Sequence, residues 1–420
     1  MINILKQLFN SKNRDIQKRV LFTLGALTVF VIGKAIVVPG IDRDALGTGT
    51  FGLLELMSVM SGGALEQFSI FALGVMPYIT ASIVIQVLTM DIVPYLKELS
   101  KQGQSGRNKI NKITRISGIC LAFLQGYVYS FAFLGRGEGL INLDYLVFAL
   151  VLCAGTSLLL WIGDQITAKG IGNGISLIIM AGIISALPNM FQTAYIELTN
   201  TTNISGILMF ATYVIVYLAI IIGVVFMEKA ERRIQVQYAN KTNNTFGGKQ
   251  NYIPFKLNSA GVIPVIFAST LISIPAFMAS FIGREGFTNF VEGYLGMATP
   301  VGFVLYVAMI FFFAYFWTFM QIKPKDTAEN LNKNGGYIPG VRPGDETFNY
   351  LSGILKHITV VGATFLVVLA TMPIIFGVAT NLPGNVTIGG TGLLIVVGVA
   401  LETYKQLESK LQARSYKKRG

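Results

Sequence analysis

The chain has 420 residues, 53% of them apolar and only 13% charged, and 33 Lys and Arg against 21 Asp and Glu give it a net charge of +12. A water-soluble domain carries about a quarter of its residues as charges, whereas the apolar residues here fall in blocks of about 20, the length that crosses roughly 30 Å of hydrocarbon. That excludes a soluble enzyme and predicts an all-α polytopic membrane protein.

Ten apolar spans are expected, at about 20–38, 68–90, 116–134, 145–162, 175–195, 206–227, 257–282, 300–322, 353–376 and 386–403. The N-terminus has no short apolar region followed by a small-residue cleavage site, so the first span is expected to direct insertion. Segment 51–66 follows it. This segment is amphipathic, too short to cross, and broken at Gly62-Gly63. Leu53, Leu54, Leu56, Met57 and Met60 give it an apolar side, and Ser58, Ser61, Gly62, Gly63 and Ala64 suit close packing. Two readings stay open for it: a helix lying in the interface, or a re-entrant element inside a protein-lined cavity.

The second span carries Gly74-Val75-Met76-Pro77-Tyr78-Ile79-Thr80-Ala81-Ser82, which recurs in the seventh as Gly261-Val262-Ile263-Pro264-Val265-Ile266-Phe267-Ala268-Ser269. Six of the nine positions are identical. Each copy places a proline in an apolar stretch, where a lost helix hydrogen bond makes a weak point that neighbouring protein must cover. A fainter echo links Gly172-Asn173-Gly174 before the fifth span to Gly390-Thr391-Gly392 before the tenth. Cys120 and Cys153 fall in the third and fourth spans and are expected as buried structural thiols. His357 beside Lys356 is expected as a helix-end residue. No Cys/His cluster with zinc spacing occurs, and no catalytic group, metal or cofactor is expected.

With the N-terminus inside, only Lys34, Arg43, Arg136 and Arg284 fall outside, and the remaining 29 of the 33 Lys and Arg are inner. The positive-inside rule then makes both termini cytoplasmic. The second and seventh spans run in opposite directions, as they must if residues 1–200 and 201–420 are inverted halves of five spans each.

No phosphate-binding Gly-rich loop with its Lys, and no His-Glu-x-x-His or Gly-x-Ser-x-Gly motif, appears. Inverted repeats also suit a secondary transporter, but the middles of all ten spans lack the charges that ion coupling uses. A carrier of a neutral solute remains an alternative. Val75 and Ile79, Ile175 and Ile179, and Ile263 and Ile266 stand at helical spacing. They serve packing or lipid contact, or else an apolar ring that closes a wide path by dewetting. The inner loops, about 229–256 and 323–356, are long and basic. Their Arg232-Arg233 pair, and Arg342 between Pro339-Gly340 and Pro343-Gly344, fit docking of a large cytoplasmic partner.

Val38-Pro39-Gly40-Ile41-Asp42, the run from Phe71 to Ile79, Gly170-Ile171-Gly172-Asn173-Gly174-Ile175-Ser176, Ala260-Gly261-Val262-Ile263-Pro264, Pro339-Gly340-Val341-Arg342-Pro343-Gly344 and Gly389-Gly390-Thr391 occur in that order. In these motifs the chain resembles the SecY family of translocon channel subunits over essentially its full length. The resemblance implies two five-helix halves around an hourglass pore, passing unfolded secretory proteins across the bacterial cytoplasmic membrane and releasing apolar segments sideways. It implies a pore ring at Val75, Ile79, Ile175, Ile179, Ile263, Ile266 and Ile395, and a plug at 51–66 that includes Leu56, Met57, Met60, Ser61, Gly62 and Gly63. A lateral gate is implied at Pro77, Gln86, Gln125, Pro264 and Ser269, with docking of SecA or the ribosome at Arg232, Arg233 and Arg342. The implied partners are SecE, SecG, SecA, the ribosome, secretory preproteins with their signal peptides and membrane lipids, with SecDF and YidC as further candidates.

Overall fold

The computed structural model describes residues 14–39, 64, 68–134, 143–199, 204–238, 251–282, 285–296, 299–380 and 384–416. Each of the ten apolar blocks contains a helix. In the first half these are α1 (Arg14–Lys34), α2 (Met76–Val87), α4 (Gly103–Leu134), α5 (Leu143–Lys169) and α6 (Gly174–Thr199), with a short amphipathic α3 (Pro94–Lys101) between α2 and α4. In the second they are α7 (Ile204–Lys229), α8 (Ile263–Ile282), α10 (Pro300–Gln321), α12 (Asp345–Thr380) and α13 (Gly384–Tyr416). The short helices α9 (Glu285–Phe290) and α11 (Pro324–Lys333) lie between them. Among the described residues, six helices are long and apolar enough to cross a membrane, and α2 and the first part of α8 are shorter apolar helices.

The ends follow local chemistry. At the start of α10, the Thr299 hydroxyl accepts from the Gly302 amide at 3.2 Å, and Pro300 occupies the first turn, where its missing N–H costs nothing. α12 opens on Asp345 and Glu346, whose charges suit the positive end of a helix. Its 36 residues span about 54 Å, more than the hydrocarbon thickness, so α12 projects beyond the bilayer.

α4 packs between α2 and α5, α5 lies against α6, and α1 covers both α5 and α6. In the second half α10 lies between α8 and α12, while α7 and α13 pack on each other, and both pack on α12. The two sets meet where α6 touches α7 and α13, and where α4 touches α8. Large apolar side chains such as Leu21, Ile222 and Phe312 are exposed on the outer surfaces, as lipid contact requires.

The structure departs from the expectations at five places. Residues 68–75 of the second block are not helical; α2 begins only at Met76. Pro77 and Pro264 are therefore not interruptions. Each sits in the first turn of its helix, and the prolines inside helices are Pro188, Pro275 and Pro373. Cys120 is exposed and Cys153 only half-buried, because Cys120 lies on the outward side of α4. His357 stands in the body of α12, its Nδ1 2.7 Å from the Gly353 carbonyl, since that helix starts twelve residues earlier. Finally, Gly390-Thr391-Gly392 lies inside α13 while Gly172-Asn173-Gly174 precedes α6, so the fainter echo has no structural counterpart.

The basic loops contain a folded unit outside the membrane-spanning part. β1 (Glu231–Tyr238) pairs antiparallel with β2 (Asn251–Lys256), from Glu231 opposite Lys256 to Val236 opposite Asn251. β3 (Gly336–Tyr337) pairs with the other edge of β1, giving the order β2-β1-β3. Ile234 and Val236 alternate inward and pack with Phe255, Leu331 of α11 and Leu351, Leu355 and Ile358 of α12.

Two predictions follow from the backbone. A Cβ on Gly155, midway along α5, would overlap the Ile70 carbonyl, so Gly155→Val is expected to lower thermal stability in detergent by several kcal/mol, measured by unfolding of the purified protein. Gly261 has φ +64° and open space around its missing side chain. Gly261→Ala should therefore cost about 1–2 kcal/mol through conformation alone, whereas Pro264→Ala should change stability by about 1 kcal/mol or less.

Candidate functional site

The repeated nonapeptide builds the same element twice. Gly74 (φ +55°) and Gly261 (φ +64°) turn the chain, and a helix starts two residues later. The Ile79 amide then donates to the Val75 carbonyl at 3.1 Å, and the Ile266 amide to the Val262 carbonyl at 3.3 Å. Ala81 and Ala268, two residues further on, are both fully buried. Each copy thus delivers a valine and an isoleucine, four residues apart, at the entry of a helix.

These side chains converge. Val75, Ile179 and Ile395 are buried in one apolar cluster, and Ile79, Ile175 and Ile266 pack against it. They come from the starts of α2, α6 and α8 and from α13. Ile263 is not part of that cluster; Val262 is. The register of the repeat pairs Val75 with Val262, so the signal for Val262 was present in the sequence. Leu177, Ile178, Ile183 and Val399 also belong to the cluster and were not singled out, because a helix fully apolar on every side carries no mark of which face turns inward. Close approach of α13 is fitted at Gly392, where a side chain would press on Ile183.

The gate positions lie on α2, α4 and α8, of which α4 and α8 meet between the two sets. Pro77 is buried at the start of α2 and Pro264 at the start of α8. Gln86 is half-buried late in α2. The Gln125 carbonyl oxygen, on α4, is buried with no partner among the described residues. Ser269 and Tyr306 bring their hydroxyls to 3.4 Å between α8 and α10, both almost wholly buried. An amide oxygen left without a donor in an apolar setting costs free energy. Leu56, Met57, Met60, Ser61, Gly62 and Gly63 lie outside the described residues.

The three arginines are placed differently. Arg233 donates to the Glu231 carboxylate at 2.8 Å, and its guanidinium stands 4.8 Å over the Tyr252 ring. The Glu231 hydrogen bond, ahead of the Tyr252 and Glu231 charges, raises the Arg233 pKa further and keeps it ionised. Arg342 extends from the turn before α12, with 86% of its side chain exposed and Glu346 3.9 Å away. That turn is closed by the Val341 amide on the Ile338 carbonyl and by the Thr347 hydroxyl on the Arg342 carbonyl. Arg232 shares the inward face of β1 with Ile234 and Val236, so strand alternation sends it and Arg233 to opposite sides.

Among the described residues no group of three or more His, Cys, Asp or Glu could hold a metal ion. The fold and its apolar convergence of four helices define a multi-pass helical membrane channel. The sequence model of the SecY family matches residues 69–404. The protein translocase subunit SecY of Bacillus subtilis is 46% identical over 415 residues, covering 96% of each chain, and that of Staphylococcus aureus is 42% identical over 433 residues, covering 99% of each. Among solved structures, a protein-conducting channel superimposes with a TM-score of 0.65 at 19% identity, over 94% of this chain and 92% of that one. The channel in a canine ribosome-channel complex from the endoplasmic reticulum gives 0.62 at 18%, with the same coverage. The chain belongs to the SecY family: it is the protein-conducting channel of the Sec translocase, not an enzyme. The solute-carrier alternative is thereby removed.

Burial differs among the members of the cluster. Ile178→Ala, at a position 1% exposed, is expected to cost about 2–4 kcal/mol of stability. Ile79→Ala and Ile266→Ala, only partly buried, should cost about half as much. Thermal unfolding of the three variants in one detergent would check the order.

Proposed function

We propose that the apolar cluster is the constriction of an hourglass pore for unfolded secretory polypeptides, formed between inverted halves 1–200 and 201–420, and that Val75, Ile79, Ile175, Ile179, Ile266 and Ile395 close it. The observation that carries this reading is the arrival of these six side chains from four helices of both halves in one cluster. Branched aliphatics around a path repel water when it is empty and bind no passing sequence strongly. Val262 joins the ring in place of Ile263. Segment 51–66 serves as the plug. The seam of α2 and α4 against α8 and α10 is the lateral gate, with Pro77, Gln86, Gln125, Pro264 and Ser269 along it. The Gln125 oxygen on α4, without a partner among the described residues, supports this reading, because an unsatisfied polar atom penalises close apolar packing at the place that must open to lipid.

The protein sits in the bacterial cytoplasmic membrane with both termini cytoplasmic, as the charge distribution supports. It works with SecE and SecG and takes its driving force from SecA or the ribosome, with SecDF and YidC as accessory partners. Arg233 and Arg342 face outward from the folded loops and are the docking cations; a solved neighbour of the same fold is found in a ribosome-channel complex.

Single cysteines at Ile79 and Ile266 are expected to crosslink to a stalled secretory chain, and labelling only at surface cysteines would refute the pore. Ile266→Asn should raise ion leak and ease export of weak signal sequences, read by conductance and a secretion reporter. Arg342→Glu should slow motor-driven export at least several-fold while the amount of folded protein stays unchanged, because a surface charge reversal touches no core contact. Export at the normal rate would remove Arg342 from the docking surface.

A further inference from the structure

The ion pairs Arg233–Glu231, Lys333–Glu329 and Arg342–Glu346 lie in the folded loops and at the start of α12. Arg115 and Asp164 instead join two helices of the first half, α4 and α5, with Nη1 of Arg115 2.7 Å from Oδ2 of Asp164.

This pair borders the apolar cluster. Ile119, four residues after Arg115, packs against the cluster, and Leu160, four residues before Asp164, is buried in it. With both termini cytoplasmic, α4 runs outward and α5 inward, so each helix carries its charge one turn, about 6 Å, to the inner side of the cluster. Two close approaches fix the pair there. At Gly118, three residues after Arg115, a side chain would crowd the backbone of Tyr78. The Tyr78 phenol lies within electrostatic reach of both charges, and the next residue is Ile79. At Gly163, beside Asp164, a side chain would press on Ile175. The charged side chains remain 41% and 54% exposed. Charge is costly against hydrocarbon, so their open side faces water.

We propose that Arg115 and Asp164 form a charge-reading lip on the inner side of the constriction, which sets how readily basic and acidic segments of an exported chain enter it. The inference rests on the pore reading. An apolar ring offers a charged side chain nothing in exchange for its water, so a fixed counter-charge helps at the step before the ring. Asp164 supplies one to Lys and Arg, and Arg115 one to Asp and Glu. An exposed pair gives up its own contact at little cost, so either partner can turn to the passing chain and return. Opposite signs side by side keep the local field near neutral, and neither kind of segment is held. Clipping α4 to α5 is a lesser use for the pair. Those helices already pack through Gly126 on Ala149 and Cys153 on the Ile119 carbonyl.

The full-length protein would be reconstituted in proteoliposomes with its motor and membrane partners, without a membrane potential. Three preproteins would be exported, identical but for a run of Lys, Glu or Ser in the mature part. Each rate would be divided by that of the Ser form in the same variant. In Asp164→Asn the Lys ratio should fall about fivefold, the effect of one like charge at roughly 4 Å in water, while the Glu ratio does not fall. Arg115→Gln should do the reverse. Exchange of the two, Arg115→Asp with Asp164→Arg, should restore both ratios. Lys112→Gln, which removes an exposed charge from α4 nearer the cytoplasm, should leave both at the wild-type value. If the pair only clips the helices, all three preproteins slow alike and the ratios do not move, which overturns the lip. A matching change in Lys112→Gln would assign the effect to diffuse surface charge and overturn it too. A cysteine at Ile79 in each variant, tested for crosslinks to a stalled Ser-form chain, keeps the two readings apart. Without crosslinks the pore reading fails and the lip with it, whereas crosslinks with unmoved ratios sink the lip alone.

Discussion

Residues 68–75 cross the interior without helical hydrogen bonds, and the packing of the first half is arranged to make that tolerable. Hydrocarbon supplies no partner to a bare amide or carbonyl, so the segment must be satisfied by protein. The Val38 amide donates to the Phe68 carbonyl, the Ile70 amide to Ile36, the Ala72 amide to Ser69 and the Gly74 amide to Phe71. The buried Ser69 hydroxyl accepts from the Phe71 amide at 3.1 Å. Phe30 and Phe71 stack over the segment at 6.0 Å, and α5 approaches close enough at Gly155 to touch the Ile70 carbonyl. Because the irregular stretch takes up the first part of the second block, α2 is short and starts among buried residues, which puts Val75 and Ile79 in the apolar cluster rather than at a surface.

The second copy of the motif reaches the same arrangement by another route. β2 runs directly into the turn before α8. The Asn258 amide group donates to the Glu228 carboxylate at 3.3 Å, and the Lys405 ammonium to the Glu228 carbonyl at 3.2 Å. These bonds tie the end of α7, the turn before α8 and α13 together. Only ten residues separate Lys256 at the end of the sheet from Ile266 in the apolar cluster. A load on the sheet is thus transmitted to the helix entry through a short, hydrogen-bonded stretch, with no long flexible linker to absorb it.

The blocks of apolar residues marked the ten helices because length and composition alone decide whether a segment remains in hydrocarbon. The start of α2 was not legible: Phe68 to Val75 is as apolar as the helix after it, and only Ser69 and Gly74 hint at irregular backbone. Pro77 and Pro264 were legible as special positions, but the sequence does not distinguish a proline that begins a helix from one that lies within it, as Pro275 does later in α8. Val262 was legible from the repeat, and Ile263 was preferred to it on residue type alone. The sheet left a weak trace in the alternation of Ile234 and Val236. Its third strand, two residues long, left none, and the parting of Arg232 from Arg233 becomes visible only once β1 is recognised as a strand.

That sheet joins parts of the chain made at different times. The Tyr337 hydroxyl meets the Gln237 side chain at 2.8 Å across a sequence separation of 100 residues, and Ile234, Val236 and Phe255 are covered by α11 and α12. During synthesis the β1–β2 hairpin therefore exists before anything that shields its apolar face. At about 5–20 residues per second the delay is roughly 5–20 s, long enough for strand-edge association or proteolysis to compete. The third strand and the projecting end of α12 thus act as a checkpoint on assembly: a nascent chain halted between α8 and α12 would carry an uncovered hairpin that a finished chain does not show.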